Sequence, residues 1–244
     1  MNRLLYALHK WISAIAFVQL AIWTVSGFTF TWITQDAIKS APVERAHRSA
    51  LGEPPAVGVA HVLDVAAPRT GPVDRLELRG TPGGPFYVVT GRDGVVRVDA
   101  RSGRLAPVDR EEAEAIARRD QPGGPPVREA TLLQGSPPIE YRDCEPAECS
   151  LPAFRVVLAD AANTVVYVDA TTGDVTARRN EDWRTYDFFW SLHIMDYRGR
   201  EDFNHWLIRG AAMLAMGTVL TGTILLVVRA SRWVRRALAR RAPG

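Results

Sequence analysis

PFYVVTGRDGVVRVDARSGRL (residues 85–105) and AFRVVLADAANTVVYVDATTGDV (residues 153–175) are two versions of one stretch, and their correspondence decides the fold. The match is concentrated in VVRVDARSG and VVYVDATTG, which begin at residues 95 and 165. Self-similarity of this kind marks a repeated supersecondary unit. In the first copy, FYVVT and VVRVD are short β-branched or aromatic runs, and GRDG between them supplies the Asp93-Gly94 pair favoured in tight hairpin turns. Asp99 and Asp169 each begin a second turn. There Gly103 and Gly173 can take positive φ while the aspartate caps nearby backbone N–H groups. Turn chemistry accounts for the recurrence of these carboxylates, which is no sign of a catalytic pair.

Outward from each copy the same grammar repeats. A helical pattern precedes each strand set, AVGVAHVLDVAA from residue 56 and DREEAEAIARRD from residue 109. The second carries acids in its first turn and arginines in its last, which complements the helix dipole. A proline- and glycine-rich turn follows (APRTGP, QPGGPP), then an extended segment, VDRLELRG or VREATLLQG. The expected fold class is α+β: two tandem modules, each a helix plus an antiparallel sheet, at residues 56–108 and 109–180. Residues 34–55 and 180–184 read as linkers.

The chain has 244 residues and a formal net charge of +3, and its apolar residues are unevenly spread. Uncharged blocks at residues 11–33 and 210–228 are each long enough to cross a hydrocarbon core of about 30 Å at about 1.5 Å per residue. They predict transmembrane helices over 11–33 and 206–228. The first block exceeds a signal-peptide core and has no clean small-x-small cleavage site after it, so it reads as retained. Arg229, Arg232, Arg235, Arg236, Arg240 and Arg241 follow the second block, and Arg3 and Lys10 precede the first. This bias places the N-terminus (1–10) and the basic tail (229–244) in the cytoplasm, and the middle of the chain outside an inner membrane, in a periplasm where there is one. The tail suits anionic lipid headgroups, so no nucleic-acid partner is needed to explain the charge.

Cys144 and Cys149, in DCEPAEC, fall in that outer segment, where an oxidising compartment favours a disulfide. The rival is a metal site using both thiols with Asp143, Glu145 or Glu148, although the spacing matches no familiar zinc pattern.

The VYVDATTGDV core, the helix before it, LHKW at residues 8–11 and SLHIMDYRG at residues 191–199 together resemble the PepSY family with its associated transmembrane helices, over nearly the whole chain. That resemblance implies an extracytoplasmic α+β segment between membrane helices. Related members with more membrane helices include ferric-siderophore reductases, which carry haem and pass electrons to periplasmic iron. By position, the resemblance points to His9 in LHKW and His193 in LHIMDY as ligands of a haem b, with His205 as a third candidate. Asp196, Tyr197 and Arg198 would then support the ligand or face the propionates, with Asp196 holding the second ring nitrogen.

The residues themselves leave the choice open. Membrane-adjacent histidines among Trp11, Trp32, Trp183, Tyr186, Trp190, Tyr197 and Trp206 also suit a plain interfacial girdle over residues 181–205. His47 lies in a polar linker, and His61 suits a structural role. His9 and His193 fall at opposite membrane faces, so one chain cannot clamp one haem between them. A homodimer or larger complex would supply matched pairs. Ala211, Ala215, Gly217, Thr218, Thr221 and Gly222 permit the close helix packing this needs, and equally permit packing within the chain against Ser26 and Gly27. No nucleophile motif, HExxH or phosphate loop is present, which argues against hydrolase and nucleotide-driven chemistry. Three functions remain. One is a haem-bearing electron-transfer component, fed by a redox partner protein or a quinol. The second is an extracytoplasmic binding or peptidase-regulating module. The third is a non-catalytic accessory subunit.

Overall fold

A computed structural model describes residues 2–34, 51–141 and 149–239. The chain is α+β, with two antiparallel sheets, their helices, and a long apolar helix towards either end. The order is α1 (Asn2–Trp32), α2 (Val59–Thr70), β1 (Val73–Thr81), β2 (Gly84–Gly91), β3 (Gly94–Asp99), α3 (Arg110–Asp120), β4 (Val127–Leu133), β5 (Ala153–Leu158), β6 (Val165–Asp169), β7 (Val175–Arg179), α4 (Glu181–Ile194) and α5 (Trp206–Ala239). Two compact units result, one from Thr34–Thr185 and the other from Met1–Ile33 with Tyr186–Gly244.

In the first unit both sheets are meanders, β1-β2-β3 and β4-β5-β6-β7. The repeat is visible in the register, since Tyr87 faces Val98 in one sheet where Phe154 faces Val168 in the other. Strand side chains alternate between faces, so each sheet offers one apolar row to its helix. Val62 and Ala66 of α2 pack on Tyr87, Val89, Val96 and Val98. Ala113, Ile116 and Ala117 of α3 pack on Phe154, Val156, Val166 and Val168. The second sheet is covered on its other face too, where Val165 and Tyr167 join Tyr141, Ala153 and Ala177. For that reason β6 is buried along its whole length.

The paired turns are near copies. Asp99 Oδ1 accepts from the N–H groups of Arg101 (2.9 Å) and Ser102 (2.6 Å), and Asp169 Oδ1 accepts from those of Thr171 (2.8 Å) and Thr172 (2.7 Å). Gly103 and Gly173 follow at φ 70° and 80°, as the turn requires. Asp109 caps α3 by accepting from Glu112 N–H at 2.8 Å. Between the modules, Arg97 donates to both oxygens of Glu112 (2.6 and 2.7 Å), and Arg79 donates to Asp174 at 2.9 Å.

Three departures from the sequence reading have physical causes. The first module has only a single bridge, Val98 to Leu105, where the second has β7, because Pro107 lacks a ladder donor and the chain must turn into the Asp109 cap. Helix α2 runs on through Pro68 to Thr70, where the expected turn was APRTGP. Residues 180–184 are not a linker. Asn180 accepts from Trp183 N–H at 2.8 Å, and α4 begins at Glu181 with two acids in its first turn.

In the second unit α1 and α5 are both long and apolar enough to cross a membrane, and most of their large apolar side chains are exposed. A core helix of a water-soluble protein would bury them. Two of the small residues of α5 pack within the chain, near the first turns of α1. A Cβ on Gly222 would lie 3.1 Å from His9 Cε1, and one on Gly217 would lie 3.9 Å from Ile12. Helix α5 also continues past its apolar block, as arginine and alanine favour. The last helix starts at Trp206, so Glu201 and Asp202 lie in the irregular segment before it.

Candidate functional site

The chemistry-bearing side chains of the helical unit sit where α1 meets α4 and α5. Within α1, His9 and Ser26 are 17 residues apart, or about 25 Å along the axis at the usual helical rise. They mark two separate depths.

At one depth, His9 Nδ1 lies 2.8 Å from Thr221 Oγ1. The Thr221 hydroxyl has one proton, and it donates that proton to the Gly217 carbonyl at 2.7 Å. With that proton on the carbonyl, the Thr221 oxygen accepts from His9 Nδ1–H, the tautomer that leaves the lone pair on Nε2, and Ser13 Oγ also lies 3.4 Å from Nδ1. At the other depth the arrangement repeats with different residues. His193 Nδ1 lies 2.8 Å from Ser26 Oγ, and Ser26 donates to the Ile22 carbonyl at 2.8 Å. With the Ser26 proton on that carbonyl, His193 takes the same Nδ1–H tautomer. Its ring is 5.3 Å from Phe30 and 6.2 Å from Trp23, whose indole N–H donates to the His193 carbonyl at 2.7 Å.

His205 differs. Its Nε2 donates to the Ile194 carbonyl at 2.9 Å, which leaves Nδ1 as the unprotonated atom. The supporting residues also differ from expectation. Ser26, and not Asp196, holds the second nitrogen of His193. Asp196 instead accepts from the backbone N–H groups of Arg198, Gly199, Glu201 and Asp202, organising the segment between α4 and α5. Burial pushes its carboxyl up, but those four hydrogen bonds outweigh it and hold the group down at about 2. The Tyr197 side chain is half exposed, and Arg198 is exposed as well. Around His193 the aromatic cluster is Phe30, Tyr186, Trp190 and Phe203, with Trp190 also donating to the Arg200 carbonyl. Arg200 in turn pairs with the buried carboxylate of Asp187.

Elsewhere, His61 packs on the Gly103 turn, its Nε2 3.3 Å from the Gly103 carbonyl, in a structural role. His47 and Cys144 lie outside the described residues. Cys149 is partly buried against the Tyr141–Tyr167 cluster, and there is no free cysteine among the described residues. No group of three or more metal-ligating side chains occurs among them either.

The sequence reading missed Ser26 and Thr221. Hydroxyls inside an apolar helix are a visible signal, but their histidine partners lie 167 and 212 positions away.

Fold and site together define an α+β chain with two helices long and apolar enough to cross a membrane, carrying one oriented imidazole at each of two depths. No family model, curated protein or solved structure matches the chain.

Proposed function

We propose that the chain is a two-pass inner-membrane protein of PepSY type that binds haem b and serves transmembrane electron transfer linked to iron uptake or respiration. Both termini are cytoplasmic in this reading, and the sheet unit lies outside the membrane on the periplasmic face. The observation that carries it is the pair of hydroxyl contacts at Nδ1. At His9 and at His193 a hydroxyl that also reaches a backbone carbonyl can accept from Nδ1–H, the tautomer that leaves Nε2 as a lone-pair donor. An iron-ligating imidazole needs that state, oriented by a hydrogen bond on the far nitrogen.

Each level offers one such imidazole per chain, so a second histidine to hold haem there would come from a second copy in a homodimer or larger complex. Bound there, haem supplies a one-electron Fe(II)/Fe(III) centre. The chain's own contribution is to fix ring orientation through Thr221 and Ser26, and to exclude water from His193 with Phe30 and Trp23. Electrons then arrive from a redox partner protein or a quinol.

Purified protein from haem-replete cells should show a Soret band that sharpens on reduction. His193→Ala and His9→Ala should each lose haem, and His47→Ala should not. Ser26→Ala should keep haem but shift its midpoint potential, because it frees the ring without removing the ligand. A haem-free preparation, or a spectrum indifferent to both histidine variants, defeats the proposal.

The binding-module reading has one feature in its favour, a polar cleft of about 790 Å³ on the second module. Its charged side chains are already engaged, Asp169 by its turn and Ser150, Arg178 by Asp120 and Asp174 by Arg79. Little is left there to recognise a ligand.

A further inference from the structure

A cavity of about 410 Å³ lies between α1 and α5 in the helical unit. Ile15, Leu20, Trp23, Met195, Trp206 and Leu214 give it apolar walls, and one wall residue is an amide, Gln19. The Gln19 Nε2 atom is buried and has no hydrogen-bond partner. A buried donor left unpaired is destabilising, so its persistence in an apolar wall calls for an acceptor. Trp206, at 80% exposed, stands at its rim.

We infer that this cavity binds the ring of an isoprenoid quinone, with Gln19 hydrogen-bonded to a ring oxygen. The inference rests on the membrane-spanning part of the proposed function and is independent of haem. Depth selects the occupant. In the apolar block 11–33, Gln19 stands three residues from the midpoint, or about 4–5 Å along the axis. Phospholipid ester carbonyls lie at the edge of the hydrocarbon core, about 15 Å from its centre, and acyl tails carry no acceptor at all. Water needs two to four polar partners to stay in such a place, and the walls offer a single amide. What remains is a lipid-soluble molecule that brings an oxygen to mid-depth on an apolar body. A carboxamide also suits both redox states, since its N–H donates to a quinone carbonyl and its oxygen accepts from a quinol hydroxyl. The volume falls in the range of small-molecule sites. Trp23 belongs both to the cavity wall and to the His193 surroundings, so the two sites adjoin.

The test uses the full chain in nanodiscs of quinone-free phosphatidylcholine, titrated with radiolabelled ubiquinone-2 against empty discs. Saturable uptake at one quinone per chain is expected. Gln19→Leu should weaken it about five- to tenfold, the loss of one neutral hydrogen bond, with melting temperature unchanged or raised because an unpaired donor has gone. Ala211→Phe, which fills the cavity, should abolish uptake, while Val227→Ala on the exposed face should not alter it. Uptake no greater than in empty discs, or equal in wild type, Gln19→Leu and Ala211→Phe, overturns the inference. So does disulfide trapping of Ala211→Cys chains in pairs, which would show a second copy filling the cavity. None of these readouts needs haem, and a missing Soret band with saturable quinone uptake leaves this site standing alone.

Discussion

Asp196 shows how a single carboxylate can be assigned from its partners. Its four backbone donors belong to the segment that joins α4 to α5, so its charge works on the shape of that segment and not on an imidazole. The folded carboxyl titrates at about 2, below its ordinary value of 3.8. A depressed carboxylate stabilises the fold fully above the unfolded pKa, progressively less as pH falls through the interval between the two values, and no longer below the folded one. Amide exchange in residues 196–205 should therefore accelerate, beyond its intrinsic pH dependence, as pH drops from about 4 to about 2. Asp196→Ala should show the faster exchange already at neutral pH and no further change across that interval. A wild-type segment whose corrected exchange stays flat would remove Asp196 from this role. Sequence alone pointed to Asp196 as a partner of His193 because the two are close in the chain. Proximity along the chain favours turns, whereas the imidazole found its hydroxyl on a helix 167 positions away.

At the scale of elements, what was legible was what local rules decide. The Asp-to-Gly turns and the second module's helix depend on residues within a few positions of one another, and both formed as read. Helix α4 was legible too, since Asn180 followed by Glu181 and Asp182 is a start signal, but its lack of an apolar period hid it. Long-range ion pairs were not legible. The Asp120 side chain, 1% exposed at the end of α3, takes two hydrogen bonds from Arg178 of β7, at 2.6 and 2.5 Å. Removing the carboxylate takes two charge-assisted hydrogen bonds from a guanidinium that is itself mostly buried. Asp120→Ala should destabilise the chain by about 3 kcal/mol, against about 1 kcal/mol for loss of the exposed cap in Asp109→Ala. Denaturant unfolding of purified protein followed by far-ultraviolet circular dichroism measures both, and equal costs would mean that the Asp120–Arg178 pair carries no more than a surface cap does.

At the scale of the whole molecule, the proposed function depends on which side of a membrane each part occupies. If both long apolar helices cross it, both termini share one face and the residues between the helices take the other. Juxtamembrane arginine decides which. Arg229, Arg232, Arg235 and Arg236 lie on or beyond the last apolar turns of α5, no acid accompanies them, and Arg3 and Lys10 lie at the matching end of α1. Positive charge of this kind is retained in the cytoplasm. Alkaline phosphatase folds only outside, so its fusion after Arg184 should be active and its fusion after Gly244 silent. The cysteines give an independent reading of the same compartment. In an oxidising space Cys144 and Cys149 should resist alkylation until reduced, and a bridge across so short a loop should contribute about 2 kcal/mol. If the fusions reported the reverse orientation, His193 and the mouth of the aromatic cluster would face the cytoplasm, and delivery of electrons to periplasmic iron would lose its geometry. If the fusions agreed but the thiols alkylated freely, the orientation would stand and the cysteine pair would become the metal-site candidate. The two measurements together thus separate a fault in topology from a fault in cysteine chemistry.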